Sequence, residues 1–348
     1  MDSPTPVDGS ARPLPMSWVG WGIAGAAFLL ALGACDVFNF DVGVHLLKGK
    51  WILENGSIPR PEDLTCVKRP GFAYQDRWLF QVGTWLTWSL GGWAGLTLAK
   101  VGVIMGTFAC LWVAARPAGP LACIAATLAA TLLMYERWDI RSELCAHLAC
   151  AAVLALVGRS PRPDRAAWAA PPVIALAMNM HALSILAPAL VSVAAVAGII
   201  HTRKEHLRVW VGVAVLSWVA VLLNPQGWRL VAVPFEYLQR YRTGPDWYQG
   251  WITELQGVTD AVAFPSVSLR APWIVVPFAA LALAANARRI RALDAALLVL
   301  GALAAFSYRR NVAAAGPLLF PVIARNLHEA VAAWAASRPP ESLRMPRL

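Results

Sequence analysis

Two aspartates and a histidine, Asp36, Asp41 and His45, follow the first long apolar run of the chain, within CDVFNFDVGVHLLKGKWILENG (35–56). A carboxylate in this position can serve as a general base toward a hydroxyl brought within hydrogen-bond reach. Ionisable groups beside apolar segments are costly to place, which makes them functional candidates by default. Asp41 also has a structural use, as the cap of a helix over HLLKGKWILENG that stops at Asn55-Gly56. Asp76 is a further acid, just ahead of Trp78-Leu79-Phe80-Gln81-Val82. Arg141 and Glu143 stand two apart and cannot share a helix face, and Glu143 suits a helix N-terminus. His45 and His181 either make satisfied polar contacts or bind a substrate. Asn224 opens the turn signal Asn224-Pro225-Gln226-Gly227. Arg309 and Arg310 either snorkel from a span end or meet an anion.

The elements that must position these residues are apolar. The 348 residues are 58% hydrophobic and 14% charged, with mean hydropathy +0.54, against roughly 25% charged in an average soluble domain. The expected class is an all-α polytopic integral membrane protein. The net charge of +10 is spread between apolar runs. That pattern fits basic loops facing anionic lipid and argues against nucleic acid, which calls for one basic patch with aromatics. Cys110, Cys123, Cys145 and Cys150 lie in apolar runs and read as small hydrophobes; Cys35 and Cys66 could pair on an oxidising face.

Apolar runs near the length a bilayer requires predict about ten transmembrane helices: 17–35, 95–115, 119–135, 143–158, 167–180, 182–200, 208–223, 271–287, 292–307 and 312–328. The first reads as a retained anchor, because it is of spanning length and lacks a signal-peptide arrangement. The stretch 78–93, with Trp78, Trp85, Trp88 and Trp93 among Gln81, Thr84 and Ser89, reads as an interfacial helix; a further span is the alternative. Residues 1–16 form a cytoplasmic tail, 17–328 the transmembrane domain and 329–348 a second cytoplasmic tail. Two large outward segments, 36–94 and 224–270, interrupt the domain, and the first contains the interfacial helices. Short basic loops (Arg159, Arg162, Arg165; Arg203, Lys204, Arg208; Arg288, Arg289, Arg291) alternate with mixed-charge ones. The basic set faces the cytoplasm under the positive-inside rule, with both termini on that side. The candidate residues then share the outward face.

At these residues the chain resembles bacterial multi-pass proteins of the GT-C glycosyltransferase superfamily, as a divergent member. Those proteins carry Asp-x-Asp-x-Trp-Trp-His-Leu after the first span, then Gly-x-Trp-Ile and Ile-Pro. The corresponding residues here are Asn39-Phe40-Asp41-Val42-Gly43-Val44-His45-Leu46, Gly49-Lys50-Trp51-Ile52 and Ile58-Pro59. The Trp78–Val82 helix, Arg141–Leu144, Asn179–His181, Asn224–Gly227 and Arg310-Asn311 follow in the same order. The chain departs from the pattern at Asn39, which replaces the first acid, at Gly43 and Val44, which replace the tryptophans, and at Asp76-Arg77, where His-Glu is usual. No soluble periplasmic domain, such as many of these enzymes carry, is expected after the last span.

The resemblance implies a GT-C-like fold in the bacterial inner membrane. It also implies transfer of a sugar from a polyprenyl-phosphate donor to a periplasmic or exterior acceptor, which could be a glycan, a lipid or a protein. Asp41 is the candidate base, with Asp36 or Asp76 next. Arg309 and Arg310 would hold the donor phosphate, since the guanidinium fork binds phosphate bidentately. His45, His181, Arg141, Glu143 and Asn224 would contact substrate or brace the site. No cofactor is expected, and the loss of the first acid at Asn39 weakens a divalent-metal reading. A non-catalytic subunit on the same scaffold and a lipid or solute transporter are the alternatives.

Overall fold

In the computed structural model the described residues are 16–34, 41–59, 77–116, 118–243, 254, 257–258 and 267–337. Their regular structure is helical: α1 (Met16–Gly33), α2 (Asp41–Asn55), α3 (Trp78–Ala114), α4 (Pro120–Met134), α5 (Glu143–Val157), α6 (Ala170–Met178), α7 (Leu186–His201), α8 (Leu207–Val221), α9 (Arg229–Thr243), α10 (Val267–Ala285), α11 (Ala292–Ser307) and α12 (Val312–Ala336). Helix stands at each of the ten apolar runs. Two helical segments, Trp78–Ala114 and Ala182–His201, are long and apolar enough to cross a membrane. The apolar helices α5, α8 and α11 are shorter, at 15, 15 and 16 residues, which at 1.5 Å per residue is roughly 23 Å of rise.

The core is organised around α12, whose residues Val312 to Asn326 are all buried. It packs against α4, α10 and α11 through small residues. A Cβ on Gly316 would lie 2.6 Å from the Met134 side chain, and one on Gly301 would lie 2.7 Å from Leu319 Cγ. Small residues let helix backbones approach closely. Large apolar side chains face outward instead: Leu121 on α4, Ile200 on α7, Val215 on α8, Leu281 on α10 and Leu303 on α11 are all exposed.

A charged cluster sits inside this apolar body. The Arg325 guanidinium of α12 pairs with Asp294 of α11 and donates to the Ala114 carbonyl (3.2 Å) and the Gly158 carbonyl (3.0 Å), at the ends of α3 and α5. Asn326 donates to Asp294 Oδ2 at 3.2 Å, and Asn286 donates to Asn326 Oδ1 and Glu329 Oε2, each at 2.9 Å.

Two features differ from the linear reading. First, α3 is one element broken at Gly92, where φ 55° and ψ −141° interrupt the helix. Its first half begins at Asn179, where Leu79 N–H donates to the Asn179 carbonyl (3.2 Å). Just past the break, Leu96 clusters with Ile140 and Val42. Both Asn179 and Ile140 belong to the same end of the bundle, so Trp78–Gly91 lies across that end. Helix α2 packs on it, with His45 edge-on to Phe80 at 5.0 Å and Gly49 against the Gln81 carbonyl, where a Cβ would collide. Second, α12 continues past 328 to Ala336, because Glu329-Ala330-Val331-Ala332-Ala333-Trp334 is rich in helix formers and Glu329 is held by Asn286. Asp36, Asp76, Asn39, Cys35 and Cys66 lie outside the described residues.

Gly316→Leu is expected to destabilise the protein by about 2 kcal/mol through overpacking against Met134. Gly43→Ala, on an exposed stretch of α2 with open space at its Cβ position, is expected to be neutral or to stabilise by about 0.5 kcal/mol. Thermal unfolding in detergent checks both.

Candidate functional site

The end of the bundle where α4 gives way to α5 carries most of the sequence's charged candidates. After Met134 the chain tightens into a 3-10 turn, Tyr135–Arg137, and reaches α5 through Trp138–Ser142. Five charged residues fall in this short stretch: Glu136, Arg137, Asp139, Arg141 and Glu143. On the facing side a second 3-10 turn, Arg309–Asn311, links α11 to α12. Tyr308 forms an isolated antiparallel bridge with Gly257.

Glu143 is the buried centre of the network. It opens α5, where the helix dipole favours an anion, and its side chain is only 6% exposed. Arg310 Nη2 stands 2.8 Å from its Oε1, and Arg137 Nη1 stands 3.9 Å from its Oε2. Arg137 Nη1 also donates to Glu254 Oε1 at 2.8 Å, and Arg141 Nη1 donates to the same oxygen at 2.8 Å. Arg309 reaches Glu136 at 3.4 Å. Four arginines thus meet three glutamates. The buried imidazoles of His181 and His147 lie within electrostatic reach of Glu143. The Arg141 Nε is buried and has no acceptor among the described residues.

Burial alone would raise the pKa of Glu254, but the Arg137 and Arg141 guanidiniums outweigh it and hold the carboxyl below its ordinary value. The opposing pull on Arg141 resolves likewise: burial would lower its pKa, and Glu254 keeps it raised.

The neighbouring candidates occupy defined places. His181 caps the 3-10 turn Ala182–Ile185, its Nδ1 accepting from Leu183 N–H at 3.0 Å. Asn179 is a junction: its Oδ1 accepts from Trp78 Nε1 at 2.7 Å, and its Nδ2 donates to the Leu223 and Ala175 carbonyls, each at 2.8 Å. Asn224 bonds within its own turn, accepting from Gln226 N–H at 2.8 Å and donating to the Val221 and Gly227 carbonyls. Asp41 is exposed at the start of α2. The adjacent Val42 clusters with Leu96 and Ile140, the residue before Arg141.

The structure therefore gathers Arg141, Glu143, His181, Arg309 and Arg310, while His45 is buried between α2 and α3. Sequence reasoning left Glu136, Arg137, His147 and Glu254 out of the site. The signal that could have found the first two is the density of mixed charge in YERWDIRSE between two apolar runs. Among the described residues no cluster of three or more His, Cys, Asp or Glu side chains could hold a metal ion. Chemically, the arrangement is a partly exposed network of four arginines and three glutamates, in which Glu143 is buried while Glu136 and Glu254 share the surface with the arginines.

Glu143→Gln removes a buried partner from Arg310 and Arg137 and is expected to cost on the order of 3 kcal/mol. Glu136→Gln, at a half-exposed pair, is expected to cost under about 1 kcal/mol. Glu254 has a folded pKa below its unfolded one, so its stabilisation is present above the ordinary glutamate range and is lost as pH falls through the folded value. Unfolding of wild type and Glu254→Gln as pH is lowered from neutral should show the variant losing less stability. Compared with protein-family models, curated proteins and solved structures, the chain matches none.

Proposed function

We propose that this chain is a polytopic membrane protein of about ten spans, and that it transfers a sugar from a polyprenyl-phosphate donor at its charged end. The membrane reading is supported by the apolar outer surface of α4, α7, α8, α10 and α11, since a helix apolar on its outer side as well as its core side suits a lipid surround. The segment Trp78–Gly91, with α2 packed on it, lies across the end of the bundle as an interfacial helix would. The alternation of basic and mixed-charge loops supports an inner-membrane location with both termini cytoplasmic.

One observation carries the catalytic reading. Arg137, Arg141, Arg309 and Arg310 converge at a single end of an apolar bundle, the depth at which a lipid-linked phosphate would sit. In the proposed reaction the acceptor hydroxyl oxygen attacks the anomeric carbon of the donor. The bond from that carbon to the phosphate oxygen breaks, polyprenyl phosphate leaves, and Asp41 takes the hydroxyl proton. Arginine at the leaving phosphate stabilises the charge that develops there.

The second reading, a non-catalytic membrane subunit, is favoured by the pairing itself. Each of these arginines already has a carboxylate partner, with Glu254 shared by two of them. Consumption of a polyprenyl-phosphate hexose by membranes containing the protein separates the two. The enzyme reading expects Asp41→Asn to slow consumption by about 100-fold or more, with the protein still folded. Unchanged consumption in Asp41→Asn contradicts the assignment of Asp41 as base, and no consumption by wild type favours the subunit.

A further inference from the structure

The opposite end of the bundle holds a cavity of about 550 Å³ between the end of α5, the end of α7 and the start of α11. Its inner wall is apolar, built from Val157, Ala194, Ala197 and Leu293. Ile200 also lines it and is itself exposed, so the wall runs out onto the apolar surface of α7. Its mouth is polar, with Ser160, His201, Arg289, Arg291 and Glu329. A chamber with a greasy wall open to the side and a charged mouth at the end has the amphiphilic layout of a phospholipid.

Charge selects among phospholipids. Three basic stretches stand at this end: 158–165, which lines the mouth and carries Arg159, Arg162 and Arg165; 202–208, which follows the lining residue His201 and carries Arg203, Lys204 and Arg208; and 287–291, which lines the mouth and carries Arg288, Arg289 and Arg291. The acids on these loops are Asp164 and Glu205, and Asp164 is already paired with Arg159 at 2.9 Å. Inside the mouth Glu329 accepts from Asn286 (2.9 Å) and faces Arg291 (3.9 Å), so it offsets one of the basic charges there. The excess is cationic. Basic pockets between helices on the cytoplasmic side bind anionic headgroups.

The mouth is also built to stay in place. Trp210 is fully buried against Gly198, and its Nε1 donates to the Pro161 carbonyl at 3.3 Å, fixing the first loop. Arg291 Nη1 donates to the Arg159 carbonyl at 3.4 Å, joining the first loop to the third. Arg203 and Lys204 both take left-handed backbone (φ 48° and 74°), a strained conformation for residues with a side chain, and both are exposed beside His201.

We propose that this cavity binds an anionic phospholipid, its phosphate at Arg289, Arg291 and His201 and an acyl chain along Ala194, Ala197 and Leu293. The proposal rests on the membrane reading above and is independent of the catalytic one. The lipid would act as a brace between α5, α7 and α11 at the end remote from the candidate site.

Native mass spectrometry of the detergent-solubilised full chain, titrated with phosphatidylglycerol or phosphatidylcholine, tests it. Wild type is expected to bind phosphatidylglycerol at least about tenfold more tightly. Arg289→Gln combined with Arg291→Gln should reduce that preference by about tenfold or more, as loss of two basic contacts to an anionic surface implies. Ala197→Phe, which fills the apolar wall and leaves the arginines, should weaken both lipids. Millimolar inorganic phosphate should not displace the lipid. Unfolding temperatures of the variants identify any that have failed to fold, and Arg289→Gln alone then serves as the milder probe. Equal affinity for the two lipids, an unchanged preference in folded arginine variants, or displacement by phosphate overturns the proposal. A chain recovered in the soluble fraction overturns the membrane reading instead, which keeps the two failures distinct.

Discussion

The buried guanidinium of Arg325 is the interaction on which the rest of the bundle depends. A cation in an apolar interior is tolerated when it is paired, and this one draws the partners of both its terminal nitrogens from three other helices, while its Nε is buried with no acceptor among the described residues. Asp294 comes from α11, and the Ala114 and Gly158 carbonyls come from the ends of α3 and α5. The last carbonyls of a helix lack intrahelical donors and carry partial negative charge, so Arg325 answers the needs of two helix ends at once. Asn326, Asn286 and Glu329 extend the network around the Asp294 carboxylate and toward the Arg291 loop.

Fixing α12 at Arg325 fixes its rotation along its length. About 20 Å away at 1.5 Å per residue, the same helix begins beside Arg309 and Arg310, which meet Glu136 and Glu143. The buried run from Val312 to Asn326 between these points leaves little room for α12 to turn or slide. The two charged layers are therefore mechanically linked. One is a mixed network of arginine and glutamate; the other presents basic loops around an apolar cavity.

Much of this architecture was legible in the sequence. The ten apolar runs correspond to helices because they are rich in Ala and Leu, which are strong helix formers, and are long enough for several turns. The candidate residues that converge were found because Arg141, Glu143, His181, Arg309 and Arg310 all fall at the ends of such runs, where charge is conspicuous. Arg137 and Glu254 went unchosen because their roles come from tertiary pairing: they share a contact across 117 positions. Arg325 and Asp294 were missed for another reason. Each sits within an apolar run whose average hides it, and only packing shows that the two charges face each other. Asn224 reads as a possible substrate contact or a turn, and its hydrogen bonds all close the turn.

The central claim is that the arginine end receives a lipid-linked phosphate. Its most direct test is the affinity of the solubilised protein for polyprenyl phosphate against the matching uncharged polyprenol. Polyprenyl phosphate is expected to bind at least about tenfold more tightly, a preference that collapses when Arg309 and Arg310 are both changed to Gln, as removal of charge-assisted bonds to phosphate requires. Equal affinity for phosphate and alcohol, or a preference untouched in the folded double variant, would contradict it.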